Sequence, residues 1–150
     1  ILFEFDKTKM VSRLIEGKFV NYQQVIPKEF NTDIKKKKKS LLDSLERAFV
    51  LTRDELKSRL NTVKFNIKEK VMILSSRASE IGDIYEEIPI YLEGNEIELG
   101  FNGKYLIEIL RNIESDEIKL KLNDPQSPGI IMGNEANQKF IYLILPVRLQ

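Results

Sequence analysis

The chain has 150 residues, of which 42% are hydrophobic and 31% are charged, and its formal net charge is +1. This length suits one domain, or one domain with a fragment of another, and the composition supports a buried core. The chain contains neither cysteine nor histidine, which excludes disulfides, thiol nucleophiles, zinc fingers and histidine general bases. With a net charge so close to zero, any contact with nucleic acid must come from local clusters or from shape.

The first 28 residues predict a hairpin followed by an irregular connection. The stretch LFEF alternates, DKTK is a turn, and MVSRLI returns. Residues 16–28, EGKFVNYQQVIPK, contain Gly17 and Pro27 without a strict period and predict a linker or an extended edge segment. A lone hairpin does not fold by itself, and the chain begins with Ile1 rather than methionine. We therefore expect the hairpin to belong to a preceding domain of a longer protein.

The remaining residues form two similar halves. The first predicts a strand at 34–38, a helix KSLLDSLERAF with Ser40 as N-cap, and the strands TVKFNI, KVMILSS and DIYEEIPIYLE. The second predicts the strand EIELGF, a helix GKYLIEILRNI capped by Asn102, and the strands EIKLKLN, PGIIMG and KFIYLILPV. Lys39 and its successors align with Lys104 and its successors, an offset of 65 residues. This pattern predicts an α+β fold of duplicated β-α-β-β-β halves, with antiparallel sheets and two helices on one side.

The lysine run at Lys35–Lys39 has two interpretations. It can be a phosphate-binding patch, or a charged edge strand that prevents sheets from joining edge to edge. Alternate side chains of a strand point to opposite faces, so the five lysines do not form one patch. The first interpretation keeps open a stand-alone α+β module that contacts nucleic acid through this lysine-rich strand.

Acidic residues concentrate between residues 80 and 98. Strand alternation explains them as solvent-facing side chains, and no convergence typical of a hard-cation site is visible. We therefore expect no metal site, no catalytic residue and no cofactor.

The last eleven residues of the sequence are FIYLILPVRLQ. A buried strand accounts for residues 140–145, but a simple core strand needs neither Pro146 nor Arg148 at its end.

Four stretches together resemble one family, the bacterial DNA sliding clamp, DNA polymerase III subunit beta: SRLIEGKFVNYQQVIP, LLDSLERAFVL, EIELGFNGKYLIEIL and YLILPVRL. The resemblance runs from about Ser12 to Leu149. It implies a DNA-clamp domain, of which the whole family member has three, with two chains closing a ring around duplex DNA. Residues 23–150 would be the third domain, and residues 1–22 the terminal hairpin and linker of the preceding one.

The resemblance also implies a hydrophobic groove that binds short peptides of polymerase, clamp loader and repair proteins. Gln24 stands where many relatives have arginine, and Val20 where many have proline, so the peptide preference can differ. The residues carried over to the groove are Val20, Gln24, Val25, Leu60, Gln126, Pro128, Leu143, Ile144, Leu145, Pro146, Val147 and Arg148.

Further residues follow from the same resemblance. Arg47, Lys104 and Arg111 would face the DNA and make weak contacts that do not depend on sequence, and Val50 and Leu51 would lie at the ring interface. The implied protein is a non-catalytic accessory subunit in the cytoplasm, associated with the nucleoid. Its parent would be a ring-shaped homodimer, whereas we expect this chain alone to be a monomer.

Overall fold

Two antiparallel sheets and two long helices make up most of the fold, which we describe from a computed structural model. The structure describes residues 1–52, 61–78, 82–135 and 140–149. The helices are α1 (Tyr22–Val25), α2 (Lys38–Thr52) and α3 (Gly103–Asn112). The strands are β1 (Leu2–Phe5), β2 (Thr8–Val11), β3 (Thr32–Lys37), β4 (Thr62–Lys68), β5 (Val71–Ala78), β6 (Gly82–Pro89), β7 (Tyr91–Gly94), β8 (Ile97–Asn102), β9 (Glu117–Leu122), β10 (Gly129–Gly133) and β11 (Tyr142–Ile144).

The two halves exchange their first strands. One sheet has the order β11-β10-β9-β3-β7 and the other β6-β5-β4-β8, while β1 and β2 form a separate hairpin. Strand β3 of the first half thus pairs with β9 of the second, and β8 of the second half pairs with β4 of the first. The predicted fold class, with duplicated halves and antiparallel sheets, is confirmed.

The core lies between the sheets and the apolar faces of the helices. Helix α2 contributes Leu41 and Leu45 to the core, and α3 contributes Leu106 and Leu110; all four are at most 2% exposed. At its centre the rings of Phe65 and Phe101 meet edge to face, with centroids 5.4 Å apart. Truncating either ring to alanine would cost about 3–5 kcal/mol of stability. Within the described residues, no helix is long and apolar enough to span a membrane.

One local prediction at the long helices is wrong. Ser40 is not an N-cap, because β3 runs directly into α2 and the helix begins at Lys38, whose amide donates to the Asp116 carbonyl at 2.8 Å. Within the linker, Tyr22–Val25 form one helical turn, in which the Ile26 amide donates to the Tyr22 carbonyl at 3.1 Å. Asn102, in contrast, caps α3 as predicted, and its Oδ1 accepts from the Lys104 amide at 3.0 Å.

The segment predicted as one strand at residues 83–93 is divided between the two sheets. Strand β6 pairs with β5 up to Pro89, and the chain then crosses over so that β7 pairs with β3. Proline has no amide to donate to a ladder, and the Ile90 amide bonds the Lys70 carbonyl at 3.0 Å instead. The prediction of a single strand is therefore wrong.

The apolar run near the C-terminus is not a buried strand, which corrects a further prediction. Strand β11 has only three residues, and Phe140 and Leu145 are 67% and 62% exposed. After Pro146 the chain crosses to β8, where the Val147 amide donates to the Gly100 carbonyl at 2.7 Å. A Cβ at Gly100 would lie 3.0 Å from the Val147 carbonyl oxygen and 2.8 Å from a methyl group of Leu149, so a larger residue there would displace the crossing segment. Each half thus has a proline where the chain changes sheet.

The lysine run does not lie on an edge strand. Strand β3 is paired on both sides, with β9 and with β7, so the edge-strand interpretation is wrong. Lys35 pairs with Glu93 at 3.2 Å, while the Lys36 and Lys38 ammonium groups each donate to a backbone carbonyl at 2.6 Å. The lysines are thus dispersed among different partners.

Candidate functional site

The five-stranded sheet has an inner face toward the core and an outer face away from it. The neighbouring residues Leu143 and Ile144 of β11 lie on opposite faces. Ile34, Leu120 and Ile131 are register partners in the core. Side chains of a strand alternate between faces, so the next row, which includes Ile130 and Leu143, lies on the outer face.

The predicted wall of the groove therefore divides. Ile144 is 5% exposed and belongs to the core cluster, whereas Leu143 is 37% exposed. Leu145 is exposed as well. Only these two of the three apolar residues are available to a ligand on the surface.

A cleft of about 520 Å³ lies beside the segment that crosses to β8. Three predicted groove residues line it: Gln126, Val147 and Arg148. Four residues that sequence reasoning missed line it too: Glu98, Leu99, Pro125 and Leu149. The lining residues come from β8, from the loop after β9 and from residues 147–149. These three parts of the chain meet because the segment after Pro146 crosses to β8.

The loop that carries Gln126 is held by Asp124. Its Oδ1 accepts from the Gln126 and Ser127 amides at 2.8 Å, and the Ser127 hydroxyl donates to Oδ2 at 2.6 Å. These hydrogen bonds, that of the Ser127 hydroxyl above all, lower the pKa of the Asp124 carboxyl from its usual value. Pro128, at the end of this loop, is half-buried.

The remaining predicted groove residues lie in or before the linker helix or beyond the described part. Gln24 and Val25 are in α1, and both are exposed, as is Val20 ahead of it. None of the three lines the cleft beside β8. Leu60 lies outside the described residues.

A second cleft, of about 450 Å³, lies between α2 and α3. Lys104, Arg111 and Val50 line it together, so predicted DNA-facing and ring-interface residues share one surface. Val50, in the last turn of α2, is 65% exposed. The side chain of Leu51 lies outside the described part of the structure.

Carboxylates neutralise both arginines that we expected to face DNA. Arg111 pairs with Glu46 of the neighbouring helix at 2.8 Å. Arg47 forms two bonds with Glu86, at 2.5 and 2.7 Å, and this hydrogen bonding lowers the pKa of Glu86. Lys104 forms no ion pair within the described part of the chain.

Lys39 is exposed on α2 at the position equivalent to Lys104, although sequence reasoning assigned it to the lysine run and not to the DNA-facing residues. The offset of 65 residues between the halves was the available signal.

Several of the acidic residues of the middle of the chain are engaged in ion pairs. Asp83 pairs with Arg77, Glu93 with Lys35, and Glu98 with Lys64. Across the four described ranges, no three potential metal ligands come together.

The chain is similar to proteins of one family. The family model for the DNA polymerase III beta subunit, C-terminal domain, matches residues 23–148. The beta sliding clamp of Synechococcus elongatus is 29% identical over 99% of this chain and 39% of that protein. The crystal structure of the DNA polymerase III beta subunit from Thermotoga maritima is 30% identical, with a TM-score of 0.85, over 99% of this chain and 39% of that one. The DNA polymerase sliding clamp from Bacillus subtilis superposes with a TM-score of 0.84 at 30% identity, with the same coverage. This chain thus spans 39% of the length of these relatives.

Proposed function

The chain belongs to the DNA polymerase III beta subunit family, and we propose that residues 23–150 are the third domain of a ring-shaped sliding clamp. In this proposal residues 1–22 are the terminal hairpin and linker of the domain before it. The hairpin supports this division, because every residue of β1 and β2 is exposed, including Leu2, Phe3 and Phe5. Apolar side chains in such numbers are normally covered by a partner surface.

The parent protein would act as a processivity factor rather than as an enzyme. A closed ring around duplex DNA tethers a polymerase because it cannot dissociate, so it needs neither tight binding nor base recognition. The paired arginines support this role, because Glu46 and Glu86 reduce the attraction of the helical face for phosphates. Lys104 and Lys39 remain for weak phosphate contacts, which do not depend on sequence.

The observation that carries the tethering role is the exposed apolar surface around β11. Leu143 and Leu145 are accessible, and Val147 and Arg148 line a cleft beside β8. A short peptide with leucine or phenylalanine anchors could bury its side chains there, as linear motifs do in preformed grooves. Such peptides would come from the polymerase catalytic subunit, the clamp loader and repair proteins.

The ring would close through the end of α2 against the first domain of a second chain. Val50 is exposed there, and Leu51 follows it. The nearby β6 is an edge strand of the four-stranded sheet, and the Arg47–Glu86 pair joins it to α2. Since the first domain is not part of this chain, the 150-residue protein would be a monomer.

The alternative of a stand-alone module that binds nucleic acid through the lysine run has less support. Lys35, Lys36 and Lys38 are engaged with a carboxylate or with carbonyl groups. Sequence-specific or salt-resistant binding of duplex DNA by this chain would favour that alternative over the clamp.

Replacing both Pro146 and Val147 by alanine in the full-length parent tests the groove. We expect a fluorescent peptide with leucine and phenylalanine anchors to bind at least tenfold more weakly, which is about 1.4 kcal/mol. The melting temperature should change little, because both residues are only half-buried. If the double variant keeps its peptide affinity, or if its melting temperature collapses, the groove is wrongly assigned.

A further inference from the structure

Besides the backbone hydrogen bond from the Asn31 amide to the Leu122 carbonyl at 3.1 Å, the segment between α1 and β3 is fastened to the sheet by one side chain, that of Asn123. Its Oδ1 accepts from the Asn31 amide at 2.9 Å, and its Nδ2 donates to the Glu29 carbonyl at 2.8 Å. These bonds join parts of the chain that are 92 and 94 residues apart in sequence. A planar amide that satisfies one donor and one acceptor of the same segment fixes both its position and its direction.

Lys121, which lies in β9 two residues before Asn123, strengthens this attachment. Its ammonium nitrogen lies 5.6 Å from the centroid of the Phe30 ring, in cation–π geometry, and 3.2 Å from Oδ2 of Asp33. Lys121 is the register partner of Ile130, which in turn pairs with Leu143. The attachment point and the exposed part of β11 thus belong to one row across the outer face of the sheet.

Ile130 provides independent evidence that this face is covered. It is 2% exposed although it lies opposite the main core, and it is absent from the main core cluster. Ile26, Pro27 and Phe30 of the linker are themselves half-buried. Together with the contact between Lys121 and Phe30, this partial burial places Phe30 on the outer face of the sheet.

The position of α1 relative to the sheet depends on the attachment of residues 29–31 to Asn123. The helix has one turn, and none of its residues is buried. A helix of four residues has no stability of its own, because its single turn does not repay the cost of nucleation. The position of Gln24 and Val25 is thus set by the residues that follow, from Ile26 to Asn31.

We propose that Asn123 and Lys121 are positioning residues of the peptide groove. They hold residues 29–31 beside the end of β9, so that α1, which does not line the cleft beside β8, forms a second and preformed wall on the outer face that carries Leu143. This inference rests on the proposed function, since it assigns a role to residues that need not touch the peptide. A wall that is already ordered removes an entropic cost from binding.

Hydrogen exchange of the 150-residue chain tests the attachment itself. In the variant Asn123→Ala, we expect amides of residues 22–31 to exchange about tenfold faster, while those of β4 and β5 keep their rates. Asn134→Ala is the matched control, because Asn134 donates to Glu117 at 2.9 Å near the other end of β9. Unchanged exchange of residues 22–31 in Asn123→Ala would overturn the proposal.

Peptide titration of the full-length parent tests the consequence. If the ordered wall is populated about tenfold less in Asn123→Ala, the apparent Kd rises about tenfold, with an unchanged pattern of anchor preference. Asn123→Asp keeps the acceptor for Asn31 but loses the donor to Glu29, so it should have an intermediate affinity. Faster exchange with unaltered affinity would contradict the positioning role. A wild-type parent that binds no peptide would overturn the groove itself, and the exchange rates would then decide the attachment separately.

Discussion

Leu143 and Ile144 are adjacent and similar in size, but they lie on opposite faces of the sheet. We therefore predict that Ile144 contributes mainly to stability and Leu143 mainly to peptide binding. Ile144 is 5% exposed within the core cluster, and Leu143 is 37% exposed on the outer face. Truncating a buried isoleucine to alanine costs about 2–5 kcal/mol. We expect about 1 kcal/mol for Leu143→Ala, since its side chain is already partly in water.

Thermal melting of the 150-residue chain measures the stability difference. In a protein of this size, 1 kcal/mol corresponds to about 2–4 °C in Tm. A loss of about 3 kcal/mol in Ile144→Ala thus lowers Tm by about 6–12 °C, against about 2–4 °C for Leu143→Ala. The variant Ile144→Val serves as a control that keeps the core largely filled, with a cost of about 0.5–1.5 kcal/mol.

Peptide titration of the full-length parent should give the reverse order. A leucine that forms part of a desolvated anchor pocket contributes about 2 kcal/mol, so Leu143→Ala should weaken binding by about 30-fold. Ile144→Val should bind like the wild type. The assignment of faces is refuted if Leu143→Ala melts as early as Ile144→Ala. The place of Leu143 in the groove is refuted if the peptide binds Leu143→Ala as tightly as the wild type.

Three further predictions concern the charges and the ring interface. Because Arg47 lowers the pKa of Glu86 from its ordinary value of 4.5, their pairing stabilises the fold above that pH and is lost as the pH falls through the lowered pKa. Glu86→Gln should therefore lessen the acid-induced fall of Tm, and an unchanged acid profile would argue against it. In the parent, Lys104→Ala should reduce the salt dependence of duplex binding by about one phosphate contact, whereas Arg111→Ala, which removes an ion-paired cation, should have less effect. Val50→Glu should convert a dimeric parent into monomers in sedimentation, while a dimer that persists would exclude this residue from the interface.

The sequence was sufficient for most of the local elements and for the duplication. The signals for these features are local: the apolar period of the two helices, the Asn102 cap, and the alignment of Lys39 with Lys104. The structures that they predict are held by hydrogen bonds between residues close in sequence. The exchange of β3 and β8 between the halves was not predictable in this way, because strand partners are chosen by long-range packing. The crossings at Pro89 and Pro146 were visible only as prolines within apolar runs.

The division between Leu143 and Ile144 escaped sequence reasoning for a specific reason. Every residue from Phe140 to Leu145 is apolar, so an alternation with a period of two has no contrast to reveal it. The ion pair between Arg111 and Glu46 did leave a signal, since these opposite charges stand at equivalent positions of the repeat, 65 residues apart.

The most direct test of the clamp is topological. The full-length parent is loaded onto a nicked circular plasmid with its clamp loader and ATP, and the protein that stays with the DNA is measured by gel filtration before and after the plasmid is cut once. A ring that encloses DNA without binding it tightly should remain on the circular plasmid at high salt. It should leave the linear plasmid by sliding off the DNA ends. Protein that remains on the linear DNA after cutting, or that leaves the intact circle when salt is added, would contradict the clamp.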